Sequence, residues 1–96
     1  MYILNQCVGF QWDKGNVDKN FIKHSVSARE CEQVFFNVPL IISESDKHSK
    51  VESRWQGLGK TDIGRLIFII FTIRNNLIRV ISARDMLVKE RRVYLS

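Results

Sequence analysis

Residues 65–73 read RLIFIIFTI, and after Arg65 only Thr72 interrupts the apolar side chains. A strand alternates its side chains between two faces, so this one is apolar on both and needs cover on both. It belongs in the middle of a sheet. RNN turns the chain, and LIRVISAR (77–84) returns as the next strand. As a helix the same run is far too short to cross a bilayer.

The other segments arrange themselves around this hairpin. Segment 1–12 holds a short strand ending near Phe10 and Trp12. Asp13 suits a helix N-cap, and Val17, Phe21 and His24 follow at three- or four-residue steps, giving a helix over about 14–24. In VSARECEQVFF, Ser27 and Glu30 form a capping box, and Val26 with Cys31 supplies the apolar staple. Cys31, Val34 and Phe35 share one face of this second helix, which Asn37 and Pro39 stop. PLIISE (39–44) reads as a strand, SDKHSK as a polar loop, VESRWQGL (51–58) as a strand and GKTDIG (59–64) as a turn. In the last stretch Ser82 or Asp85 caps a helix that lines up Met86, Glu90 and Tyr94, with Leu87 and Arg91 beside them. The expected fold is α+β: an antiparallel sheet, two N-terminal helices packed on it, and a C-terminal helix.

A chain of 96 residues is enough for one small domain with one core. The two cysteines, Cys7 and Cys31, fit neither a zinc site nor a disulfide framework, and Cys31 is expected as a buried thiol. No basic segment precedes an apolar stretch at the start, so no export signal is evident and a cytoplasmic protein is expected. Charge is unevenly spread. Residues 1–48 carry five Lys/Arg against six Asp/Glu, whereas residues 49–96 carry ten against four. Arginine dominates the second half, and its planar fork suits phosphate. The asymmetry points to a polyanionic partner.

Strict alternation sets Arg79 among Leu77, Ile81 and Ala83 on one face, and Arg84 among Ile78, Val80 and Ser82 on the other. Arg54, on the preceding strand, reaches the face of Arg79 if register allows. An unpaired buried arginine is costly, so either a carboxylate such as Glu52, Asp85 or Glu90 meets each one, or the face is open to an anionic ligand. His48 falls in a polar loop and His24 at a helix end, where the dipole favours its cation. No metal-ligand spacing and no phosphate-loop spacing is present, so neither a metal nor a cofactor is expected. Metal-free RNA cleavage needs a proton acceptor for the 2′-hydroxyl, a donor for the departing 5′-oxygen and cations around the phosphorane. Glu52 or His24 suits the first role. His24, Tyr94 or an arginine-polarised water suits the second. Arg54, Arg79 and Arg84 suit the third.

Several strings taken together resemble a known family. Trp12, Asp13, Asn20, Lys23 and His24 form a W-D-x-x-x-x-x-x-N-x-x-K-H pattern; IRVISAR runs from Ile78 to Arg84; Glu90, Arg91 and Tyr94 form E-R-x-x-Y. The chain resembles the BrnT-type toxins of bacterial type II toxin–antitoxin pairs from about Phe10 to Tyr94. That resemblance implies a RelE-like fold and a ribonuclease that halts translation. It also implies a hetero-oligomer with a ribbon-helix-helix antitoxin, the complex binding operator DNA. Carried over, it marks Lys23, His24, Glu52, Arg54, Arg79, Arg84 and Tyr94 as one functional face, with Arg91 as a further RNA contact. Two departures stand out. Ser25 replaces the glycine common after K-H, and the first nine residues exceed the usual short lead. The alternative is a non-catalytic subunit that binds nucleic acid or an antitoxin.

Overall fold

The structure, a computed structural model of the chain, describes residues 3–45 and 52–96, with the backbone alone over 18–22. The side chains of Asn20 and Phe21, and the loop bearing His48 up to Val51, lie outside the described residues. The elements are β1 (Gly9–Phe10), α1 (Lys14–His24), α2 (Ala28–Phe36), β2 (Ile41–Glu44), β3 (Trp55–Lys60), β4 (Leu66–Arg74), β5 (Leu77–Asp85) and α3 (Val88–Leu95). The five strands stand in the order β1-β5-β4-β3-β2. The class is α+β, as expected, and β2 to β5 pair antiparallel. The expectation of a purely antiparallel sheet needs correction: β1 lies parallel to β5, with Gly9 opposite Leu77 and Phe10 opposite Ile78. The intervening helices and strands supply the crossover that a parallel pair requires.

The β4–β5 hairpin is the centre. Asn75 and Asn76 close it with φ of 52° and 63°, the two positive values that a type I′ turn needs and asparagine tolerates. Ile67, Ile69 and Phe71 of β4 are fully buried, and each such side chain contributes about 1.5–3 kcal/mol through burial. They meet Val80 and Ala83 of β5, Cys31 and Val34 of α2, and Val26. Ser27 accepts from the Glu30 N–H (3.1 Å) while the Glu30 carboxylate accepts from the Ser27 N–H (3.0 Å), so the box forms as read. The helix it starts covers one sheet face. The other face is not closed as the apolar run implied. There α3 covers only part, and Phe68 and Ile70 stay half-buried.

Two boundaries shift. The third strand was expected over 51–58 and lies at Trp55–Lys60, so Glu52 and Arg54 precede it and Gly59 continues it. A Cβ on Gly59 would stand 2.7 Å from Val34 Cγ1, so glycine there lets α2 lie close to the sheet. The last helix does not start from Ser82 or Asp85. Pairing with β4 holds β5 extended to Asp85, and α3 begins at Val88, where the Glu90 carboxylate accepts from the Leu87 N–H (2.8 Å). Among the described residues no helix is long and apolar enough to cross a membrane.

Candidate functional site

The main correction concerns Arg79 and Arg84. Ile70 pairs with Ser82 but Phe71 pairs with Val80, which leaves Ile81 as an extra residue in β5. This bulge inverts the alternation beyond it. Ile78, Val80 and Ala83 therefore all point into the core, and Arg79 and Arg84 share the open face rather than opposing ones.

Register now lays out that face in rows. Thr72 is opposite Arg79, and Arg54, one residue before the Trp55–Phe71 pair, falls on the other side of Thr72. Thr72 is buried, and its hydroxyl donates to the Ser53 carbonyl (2.7 Å), fixing the approach to β3. The Ser45 N–H donates to the Arg54 carbonyl (3.0 Å). Arg54 Nε is buried and has no partner among the described residues. Arg79 meets Asp13 through both terminal nitrogens, at 2.9 and 3.3 Å. Asp13 also accepts from the Gly15 N–H (2.8 Å), as an α1 cap should. Arg74, at the end of β4, holds Glu52 in a two-point pair at 2.8 and 3.0 Å. The Arg74 hydrogen bonds, then the fields of Arg74, Arg54 and Arg79, keep the Glu52 carboxyl below its ordinary range. The hydrogen bond from Arg79 does the same for Asp13. Three guanidiniums thus face two carboxylates.

The next row holds Ser43, Gln56, Ile70 and Ser82, with Gln56 Nε2 donating to Ser43 Oγ (3.1 Å). Beyond it stand Ile41, Leu58, Phe68 and Arg84. Arg84 lies over the Phe68 ring, 4.2 Å from its centroid, a cation–π contact. It pairs with Glu90 at 2.8 and 3.0 Å, and Arg84 with the Leu87 N–H holds the Glu90 carboxyl below its usual value. A groove of about 450 Å³ opens over these two rows, with Lys89, Glu90 and Val93 of α3 as its far wall.

The remaining expected site residues sit elsewhere. Lys23 and His24 close α1, and its 11 residues put about 16 Å between Asp13 and His24. The His24 and Ser25 carbonyls accept from Arg65 (3.3 and 2.9 Å), which also binds Asp85 (2.7 Å) and Glu30 (3.0 Å). Asp85 is held low chiefly by Arg65 and more weakly by Arg91 and His24, so these side chains gather at the far end of β5. Tyr94 is buried, and its hydroxyl donates to the Pro39 carbonyl (2.6 Å). The structure thus brings Glu52, Arg54 and Arg79 together, with Arg84 further along the same face, and sets Lys23, His24, Arg91 and Tyr94 apart from them. Sequence reasoning passed over Arg74, Asn16 and Gln56. Asn16 is almost wholly buried and donates to the Gln11 and Val80 carbonyls (3.0 and 3.2 Å), binding α1 to β5 next to the bulge. Its place three residues after Asp13 was the available signal. Among the described residues no group of three or more His, Cys, Asp or Glu side chains is placed to hold a metal ion.

Fold and site together define a basic α+β protein with an arginine row on a half-open sheet. A model of the family described as the ribonuclease toxin BrnT of type II toxin–antitoxin systems matches residues 12–90. The chain belongs to that family. No curated protein matches it.

Proposed function

We propose that the chain, acting as a single RelE-like domain, is a metal-independent endoribonuclease that works in the cytoplasm and halts translation. The observation that carries this reading is the Arg54–Thr72–Arg79 row in a ribonuclease-toxin family member. A phosphodiester seated on that row meets Arg54, a half-buried residue on the same side of the sheet as Thr72. It also meets Arg79, whose Asp13 partner is 53% exposed. The Asp13 carboxylate approaches the largely buried Arg79 (17% exposed) from the solvent side, so a phosphate can take the place of the carboxylate. Glu52, ionised beside the row, accepts the 2′-hydroxyl proton. Arg54 and Arg79 stabilise the phosphorane, and an arginine-polarised water protonates the departing 5′-oxygen. Arg84, Lys23 and Arg91 contact RNA further along, while His24 and Tyr94 support the frame that aims these groups. A ribbon-helix-helix antitoxin covers the same arginines with acidic side chains, and the complex binds operator DNA.

The test is cleavage of RNA by purified protein in EDTA, leaving a 2′,3′-cyclic phosphate. Arg54→Ala or Arg79→Ala in folded protein should lower the cleavage rate about 10²- to 10³-fold. RNA left intact by folded wild-type protein would overturn the proposal. A second reading, a non-catalytic RNA-binding subunit, draws support from the carboxylates already on Arg79 and Arg84. It requires RNA that is bound with steep salt dependence and never cut.

A further inference from the structure

We infer that Arg74, which stands outside the arginine row, is a positioning residue: its two-point hold aims the Glu52 carboxylate at the 2′-hydroxyl and keeps it off Arg54 and Arg79. The inference rests on the proposed RNA cleavage and adds a residue to it. Register supplies the geometry. Arg74 ends β4 opposite Leu77, just before the Asn75–Asn76 turn. Counting back from the Trp55–Phe71 pair puts Glu52 level with Arg74, as it puts Arg54 level with Thr72. The two therefore form a row of their own, about 7 Å along the strands from the row that holds the phosphate. Arg74 Nε donates to Glu52 Oε2 (2.8 Å) and Nη2 to Oε1 (3.0 Å). This fork-on-fork contact fixes a carboxylate in direction as well as in distance.

Among the described residues, the charged groups that bear on Glu52 are Arg74 of β4, Arg54 ahead of β3 and Arg79 of β5. Asp13, at the start of α1, adds its field at Arg74. A carboxylate among three guanidiniums can close on any of them. Closing on Arg54 or Arg79 would fill the place of the phosphate. Arg74 takes the carboxylate at the hairpin end of the open face and leaves the other two for RNA. Each Glu52 oxygen accepts one bond from Arg74, and an ionised carboxylate has about four acceptor sites, so capacity remains for the 2′-hydroxyl. The proton passes to Glu52 as the 2′-oxygen bonds to phosphorus, and the 5′-oxygen leaves with a proton from water.

The experiment uses the full chain, with kcat and KM for cleavage of a short RNA measured over the pH range in which circular dichroism shows each variant folded. Arg74→Ala should lower kcat about 10²-fold, the cost of a base about 1 Å out of place. Its acid limb should move as well. Cleavage needs Glu52 ionised and is lost as pH falls through its folded pKa. Arg74 is the largest influence holding that carboxyl below the ordinary 4.5, so removing it moves the limb to higher pH. Arg74→Lys keeps the charge without the fork, so kcat should fall while the limb stays nearer its wild-type place. It carries the test alone if Arg74→Ala does not fold. A double-mutant cycle separates this role from direct contact with RNA: Arg74→Ala should cost nothing further in a Glu52→Gln background. Equal rates and limbs in wild type and Arg74→Ala would overturn the inference and leave the ribonuclease reading standing. So would full kcat in Arg74→Lys, or losses that multiply in the double variant. Wild-type protein that never cuts RNA removes that reading, and this inference with it.

Discussion

Ser25 shows how much one side chain can carry at a helix end. It follows α1 with φ of 57°, the left-handed conformation in which glycine is favoured because it has no Cβ. Serine keeps the turn, and Arg65 grips the Ser25 and His24 carbonyls from outside. A Cβ in that conformation costs about 1–2 kcal/mol, and glycine's extra chain entropy offsets part of the gain from removing it. Ser25→Gly should therefore raise stability by about 0.5–1 kcal/mol, seen as a higher melting temperature with the far-UV spectrum unchanged. An unchanged or lower melting temperature would show that the turn is not strained. Cys31 makes the contrasting case: burial pushes its thiol up to about 12, whereas Cys7 is only partly buried. At pH 8 a thiol reagent should modify Cys7 well before Cys31, with both reacting after unfolding. Asp13 marks the limit of sequence reading at this scale. Its cap role is local and was legible. Its pairing with Arg79, 66 positions away in the chain, depends on how α1 docks on β5 and has no local signal.

At the scale of elements, local chemistry read well and register did not. The capping box, the α1 span and the hairpin turn each follow from residues within four positions of one another, and all three form. The bulge at Ile81 is different: nothing in IRVISAR breaks the alternation, and only the demand to bury Ile78, Val80 and Ala83 together forces it. Without it, strict alternation set Arg79 and Arg84 on opposite faces, against the single face that the family resemblance implied. Gly59 likewise reads as a turn residue and acts as a packing one. Gly59→Ala would drive a methyl against Val34 Cγ1, with Leu40 and the Val34 carbonyl 3.3 Å away. The cost should be about 1–3 kcal/mol, measured by urea unfolding as a lower midpoint at constant slope. A neutral result would mean that α2 can lift from β3 at no cost.

Across the whole molecule the arginines hold the fold together through carboxylates, and that dependence sets a pH limit. Asp13, Glu30, Glu52, Asp85 and Glu90 each pair with an arginine and each has its pKa lowered. For Glu30, burial pushes the carboxyl up, but the Ser27 donors and Arg65 outweigh it. A carboxylate held low in the folded state binds fewer protons there than when unfolded, so its contribution is complete above the unfolded value and shrinks as pH falls through the folded one. The ordinary values are 3.8 for the aspartates and 4.5 for the glutamates. Stability should therefore be level from neutral pH to about 5 and fall steadily below the glutamate value. The contributions are unequal. The side chains of Asp13 and Asp85 are 53% and 64% exposed and screened by water, whereas Glu90 is 15% exposed and Glu30 26%. Glu90 should dominate, because it joins Arg84 of β5 to the first turn of α3. Urea unfolding across pH 3 to 7 checks this directly. Glu90→Gln should lower the neutral plateau and flatten the acid slope, while Asp13→Asn should leave the slope nearly as it was. An equal flattening by both variants would mean that exposure does not rank these pairs.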